Sequence, residues 1–197
     1  MRFQKAHPAG RRWFWVGLLI FMTAFAIVAA AQERVQDVEL YTEGDDLYLE
    51  AKVDFQLSQE LQELVTKGVP LYFTADVEID QERWWWFDKT IVQKERTWKL
   101  AFSPLTRQWR IGSGDLLRPE ASLEDALLSL RHIRHWRIGK ADDFSPTEQY
   151  RGRFRLRLDT SLLARPFQVD VLNRASWSLA TPWHDFQFSI SADAPPR

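Results

Sequence analysis

Two rows of side chains could recognise a ligand or partner, one by stacking and one by charge. Trp84, Trp85 and Trp86, followed by Phe87, bring four aromatic rings together. In an extended strand Trp84 and Trp86 point to one face while Trp85 and Phe87 point to the other. Each ring can hide roughly 150–250 Å², so the favoured reading is a central strand covered on both sides. The functional alternative is an aromatic platform for a glycan, a lipid or a partner protein. Arg151, Arg153, Arg155 and Arg157 recur at period two, which puts four guanidiniums on one strand face. A facing row of Asp76, Glu78 and Asp80 can neutralise them across neighbouring strands, and that structural pairing is favoured. A basic strip for anionic lipid heads or an acidic partner is the functional option. These seven residues, Trp84, Trp85, Trp86, Arg151, Arg153, Arg155 and Arg157, form the candidate partner or ligand surface.

Other reactive residue types lack the company that catalysis needs. His132 and His135 are three apart and would share a face near the end of a helix, and His184 is the one further histidine after the leader. Zinc requires three protein ligands and usually a fourth, and no spacing supplies them. Basic residues at a helix C-terminus are accounted for by the dipole. Ser113, within Gly112, Ser113, Gly114 and Asp115, lacks the glycines two residues to either side that a nucleophile elbow requires, so it is read as a turn. Carboxylates are plentiful but no pair stands out. No catalytic residue, metal site or cofactor is expected, and the chain is read as a non-enzyme.

The element that delivers these residues to their place of work is the N-terminus. Arg2, Lys5, Arg11 and Arg12 precede an uncharged stretch of 19 residues, Trp13 to Ala31. Ala29, Ala30 and Ala31 supply a small-residue cleavage site, which favours a cleaved signal peptide. As a helix the stretch would reach ~28 Å, near the ~30 Å of a bilayer core, so an uncleaved anchor is the alternative. Either way the basic head stays cytoplasmic and the rest is exported. Arg11, Arg12 and Phe14 also match a twin-arginine signal weakly. The expected location is the periplasm, or the inner membrane with the globular part facing the periplasm.

Four of the 26 Lys and Arg residues and none of the 27 Asp and Glu residues lie in residues 1–31. The mature part thus carries 22 against 27, a net charge of −5, which argues against a nucleic-acid partner. The absence of cysteine excludes disulfides and thiol chemistry. A core must therefore hold the fold, and a chain of this size buries roughly 70% of its unfolded surface. One β-rich domain over residues 32–192 is expected, with a disordered tail at 193–197.

Period two dominates that domain. Leu47, Leu49, Ala51, Val53 and Phe55 alternate with polar residues, as do Leu71, Phe73, Ala75, Val77 and Ile79. Strands are also expected over 35–41, 83–92, 97–102, 108–111, 150–158, 167–172, 177–180 and 185–190. Ser58 would cap a helix over 59–67 that stops at Gly68 and Pro70. Ser122 would cap a second, with Leu123, Ala126, Leu127, Leu130 and Ile133 at helical spacing. The expected class is α+β, mainly antiparallel β, with β-sandwich-like sheets and two short amphipathic helices behind the N-terminal signal or anchor helix.

The run Arg83, Trp84, Trp85, Trp86 and Asp88 is followed in order by Thr97 to Leu100, by Leu105, Thr106, Arg107 and Trp109, by the helix from Ser122, and by Tyr150, Gly152 and Leu156 to Asp159. Together they resemble the proteobacterial exported-protein family catalogued as domain of unknown function 4390, across about residues 35 to 190. Ala164 departs from the proline expected before Arg165 and Pro166. The resemblance implies no activity and no catalytic residues. It does imply an envelope role linked to signalling, because family members are often encoded beside a membrane sensor kinase of the nitrogen-regulation type. The expected function is a non-enzymatic binding or accessory module with an envelope protein partner. The alternatives are a periplasmic small-molecule or lipid binder and, third, an enzyme with an unrecognised site.

Overall fold

The computed structural model describes residues 33–81, 89–164 and 177–190. Residues 1–32, with the expected signal or anchor, lie outside the described residues, as do Trp84 to Trp86, the expected strand over 167–172 and the C-terminal tail. Among the described residues no helix is long and apolar enough to cross a membrane.

The strands are β1 (Arg34–Glu43), β2 (Asp46–Asp54), β3 (Leu71–Gln81), β4 (Lys89–Ser103), β5 (Gln108–Ser113), β6 (Leu116–Glu120), β7 (His132–Lys140), β8 (Tyr150–Leu158) and β9 (His184–Phe188). Helix α1 (Gln59–Thr66) joins β2 to β3, and α2 (Leu123–Arg131) joins β6 to β7. The strands form two antiparallel sheets, one ordered β1-β2-β7 and the other β6-β5-β4-β3-β8-β9. Both β1–β2 and β5–β6 turn through two-residue Gly-Asp loops, with Gly44 at φ 60° and Gly114 at φ 61°. Glycine leads each loop because its first central position needs a positive φ. The expected turn at Ser113 is therefore a β-hairpin.

Alternation in β2 and β3 puts Leu47, Leu49, Ala51, Val53, Leu71, Phe73, Ala75, Val77 and Ile79 into one apolar interior. Aromatic pairs join the two sheets there. Phe55, just past β2, lies 5.8 Å from Phe73 between ring centroids, and Trp98 of β4 meets Trp136 of β7 edge-on at 6.5 Å. Thr74, the fully buried polar residue of β3, is satisfied by Thr97 Oγ1 at 2.8 Å.

Both helices begin where their serines place them. Ser58 Oγ accepts the Leu61 N–H at 3.3 Å, and Ser122 Oγ accepts the Asp125 N–H at 3.1 Å. Helix α1 buries Leu61, Leu64 and Val65, each contributing about 1.5–3 kcal/mol of burial. With only eight residues, α1 depends on such tertiary contacts and on its cap. Replacing Ser58 with alanine is expected to cost about 1 kcal/mol, measured as a fall in urea midpoint.

Three expectations are corrected. Helix α2 stops at Arg131, so Ile133 and the two histidines are not on it. Ile133, Trp136 and Ile138 are buried in β7 instead, because the interior offers them a strand position beside β2. A bulge there displaces the β2 register between Leu49 and Ala51, and His135 takes the left-handed conformation at φ 49°. The stretch 177–180 makes a single bridge, Ala180 to Arg157, rather than a strand. The stretch 97–102 belongs to the same strand as residues 89–92, namely β4.

Candidate functional site

The arginine strip faces its expected ladder. In the β3–β8 register Asp76 opposes Arg155, Glu78 opposes Arg153 and Asp80 opposes Arg151. Arg155 Nε donates to Asp76 at 2.7 Å and Arg157 Nε donates to the same oxygen at 3.0 Å. Arg153 Nε donates to Glu78 at 2.8 Å, while Arg157 also reaches Asp159 at 3.1 Å. The Trp183 ring lies 4.8 Å from the Arg153 guanidinium and 4.4 Å from that of Arg155, within cation–π distance of both. Three cations of the strip are thus engaged within the fold, and Arg151 is engaged too. Burial opposes ionisation of Asp159, but hydrogen bonds from Ser161 and the Arg157 charge outweigh it and hold the carboxyl below its ordinary range. Its stabilising share is therefore complete at neutral pH and is lost as the pH falls through that lowered range.

Asp76 is the hinge of this ladder, since two guanidiniums share it. Asp76→Ala is expected to cost about 1–2 kcal/mol, less than a fully buried pair because Arg155 and Arg157 remain partly solvated. The check is urea unfolding at low and high salt. A loss that does not shrink with added salt would contradict an electrostatic origin.

The histidines separate. His132 follows α2 as its cap and opens β7, its Nδ1 3.2 Å from the Leu128 carbonyl oxygen. His135 sits on the outer face of the smaller sheet, stacked on Tyr48 at 4.1 Å and 3.1 Å from the Tyr41 hydroxyl. His184 is in β9. Among the described residues no group of three or more His, Asp and Glu side chains could hold a metal ion.

A different set of residues converges where the β4–β5–β6 end of the larger sheet meets α2 and β7. There a groove of about 1020 Å³ opens, at the upper end of the ~300–1,000 Å³ usual for ligand sites. Trp98, Ile111 and Ile133 are buried beneath it. Leu116 on the β6 side is 85% exposed and Leu128 on α2 is 45% exposed, so two leucines face water across its mouth. Its cations are Arg96, Arg118 and Arg134, with His132 beside them, and among the described residues no carboxylate lines it. Arg118 is partly neutralised, bonding Glu120 at 3.0 Å and Ser129 Oγ at 2.6 Å.

Arg96 is the unusual member. It shares a strand face with buried Trp98 and Leu100 and pairs across β3 with buried Ala75, so a cation stands on the dry side of β4. Its guanidinium lies 5.0 Å from the Trp98 ring, and no carboxylate lies within 4.0 Å of it among the described residues. Burial lowers its proton affinity. Sequence reasoning passed over Arg96, although its parity with Trp98 and Leu100 was the available signal. Nothing in the spacing connects it to Arg118 or Arg134, which the fold brings to the same groove.

Glycine makes one wall of the groove possible. A Cβ on Gly112 would lie 1.7 Å from the Leu116 carbonyl oxygen, so the backbones of β5 and β6 approach as only glycine allows.

Comparison with known proteins gives a family and no closer relative. No curated protein and no solved structure matches the chain. The family described as domain of unknown function 4390 matches residues 30–187, which include the groove and the arginine ladder. With that match covering most of its length, the chain belongs to this family.

Proposed function

We propose that this chain is an exported, non-enzymatic binding module of the cell envelope, and that its ligand lies in the groove between β4–β6 and α2–β7. What carries this proposal is that Arg96 and Arg134, neither with an ion pair among the described residues, line one groove together with buried Trp98, Ile111 and Ile133. A half-buried cation without a counter-charge is costly to keep, and a ligand that supplies the charge gives it a purpose. The groove combines an apolar lining with a few polar groups, as small-molecule sites do. Among the described residues the groove lining holds serines and one histidine with no carboxylate beside them, which supports a binding reading. Envelope placement rests on the basic and apolar leader at residues 1–31. An accessory role beside a membrane sensor kinase rests on the family resemblance alone. The finer architecture we infer is a β-sandwich closed at one end by α2, with its ligand at the open seam.

Because the chain has no cysteine, Leu128→Cys gives a single attachment point for an environment-sensitive fluorophore at the groove mouth. Titration of the labelled protein with envelope extract is expected to give a saturable change in emission. A label placed by Thr42→Cys on β1, away from the groove, should not respond. Equal response from both labels, or none from either, would defeat the proposal.

A further inference from the structure

We propose that the occupant of this groove is an amphiphile with an anionic head and a flexible apolar tail, its head held by Arg96 and Arg134. This inference rests on the groove being a binding site, and it adds the chemistry of what is bound. Charge comes first: among the described residues the lining has three arginines and no carboxylate, while residues 32–197 carry a net charge of −5. The described lining is thus positive against the trend of the molecule, most securely at Arg96, since Arg134 also borders a hollow lined by Asp37, Glu39 and Glu50; a groove of one sign draws ligands of the other. Of the three arginines, Arg118 already has Glu120. Arg96 and Arg134 have no ion pair among the described residues, and a guanidinium fork matches a carboxylate or phosphate in plane.

The remaining lining argues for a tail. Trp98, Ile111 and Ile133 form the floor, and Leu116 and Leu128 flank the mouth. A compact anion such as inorganic phosphate would leave that apolar lining wet. An acidic peptide would bring backbone donors and acceptors over a floor that offers them few partners. A chain of methylenes needs none, and each one buried contributes about 0.8 kcal/mol. Arg96, stacked on Trp98 at the floor, can meet the head while its own stem lines the path of the tail.

The test uses the full chain carrying the Leu128→Cys label, kept in solution by an amphipathic polymer when the leader is retained. Sodium dodecanoate is titrated below its micelle concentration, with dodecyltrimethylammonium and inorganic phosphate as comparisons. Expected are saturation by dodecanoate, little response to the cationic amphiphile or to phosphate, and weakening of dodecanoate by roughly 10-fold or more in Arg96→Met and in Arg134→Gln. Thermal unfolding checks that each variant is folded; should Arg96→Met fail to fold, the exposed Arg134→Gln decides. Equal binding of the cationic amphiphile, or dodecanoate binding unchanged in the folded variants, would overturn the anionic head. Failure of dodecanoate while envelope extract still shifts the label would overturn the amphiphile and leave the groove as a binding site. Failure of both would remove the two proposals together.

Discussion

Replacing Phe73 with alanine is expected to lower folding free energy by about 3–5 kcal/mol, read as a large fall in urea midpoint with little change in slope. Phe73 has no exposed surface. It lies in β3, paired on one side with Trp98 of β4 and on the other with Leu158 of β8. Those hydrogen-bonded neighbours fix the backbone, so the space vacated by the ring cannot close by moving the strand. Its partner Phe55 comes from the other sheet, so the substitution also loosens the seam between sheets. Against a typical total of about 5–15 kcal/mol, this is a third of the stability or more. Leu105→Ala is the control: that leucine is 97% exposed, and its removal should change stability by less than about 0.5 kcal/mol. Similar losses from the two variants would contradict the position of the core.

Gly112→Ala is expected to cost about 2–3 kcal/mol, more than either of two other glycine substitutions. At Gly112 the added carbon would meet backbone, with the Leu116 oxygen at 1.7 Å and the Leu117 Cα at 2.9 Å. A peptide group cannot swing aside, so β6 must move. At Gly152 the obstacle is the Phe186 ring at 2.2 Å, a side chain of edge strand β9 that can rotate away at smaller cost. At Gly139 the nearest atoms are Phe144 and Val92 side chains at 3.6 Å, an ordinary contact. Stability should fall in the order Gly139, Gly152, Gly112, and thermal unfolding of the three alanine variants measures it. Gly112→Ala should also weaken the emission response of a label at the groove, because β6 carries Leu116 and Arg118. An unchanged melting temperature would mean that the hairpin backbones are further apart.

Sequence periodicity located β2, β3 and β8 because each has one dry face and one wet face, which leaves a period of two in the residue types. The Asp76–Glu78–Asp80 ladder was legible for the same reason, since charges on the wet faces of neighbouring strands select each other. Strand β6 was not legible: Leu116 to Glu120 is mostly exposed, so no interior imposed alternation on it. Strand β7 was hidden by its own bulge, which spaces Ile133, Trp136 and Ile138 by three and then two. A spacing of three after Leu130 also continues a helix pattern, and the choice between helix and strand was made by β2 alongside. The arginine strip drew attention because its members are alternate residues of one strand. The groove did not, because Arg96, Arg118 and Arg134 come from three segments that only the tertiary fold unites.

The borders of the two sheets have a consequence for behaviour at high concentration. Strand β6 ends the larger sheet and contains Pro119, which has no N–H to offer a newcomer. Strand β7 ends the smaller one, and the left-handed His135 bends its outer row of amides out of line. Neither of these two rims, which flank the groove, is a good template for adding a foreign strand. Strand addition is thereby disfavoured at the two edges beside the groove, the side the proposed ligand must reach.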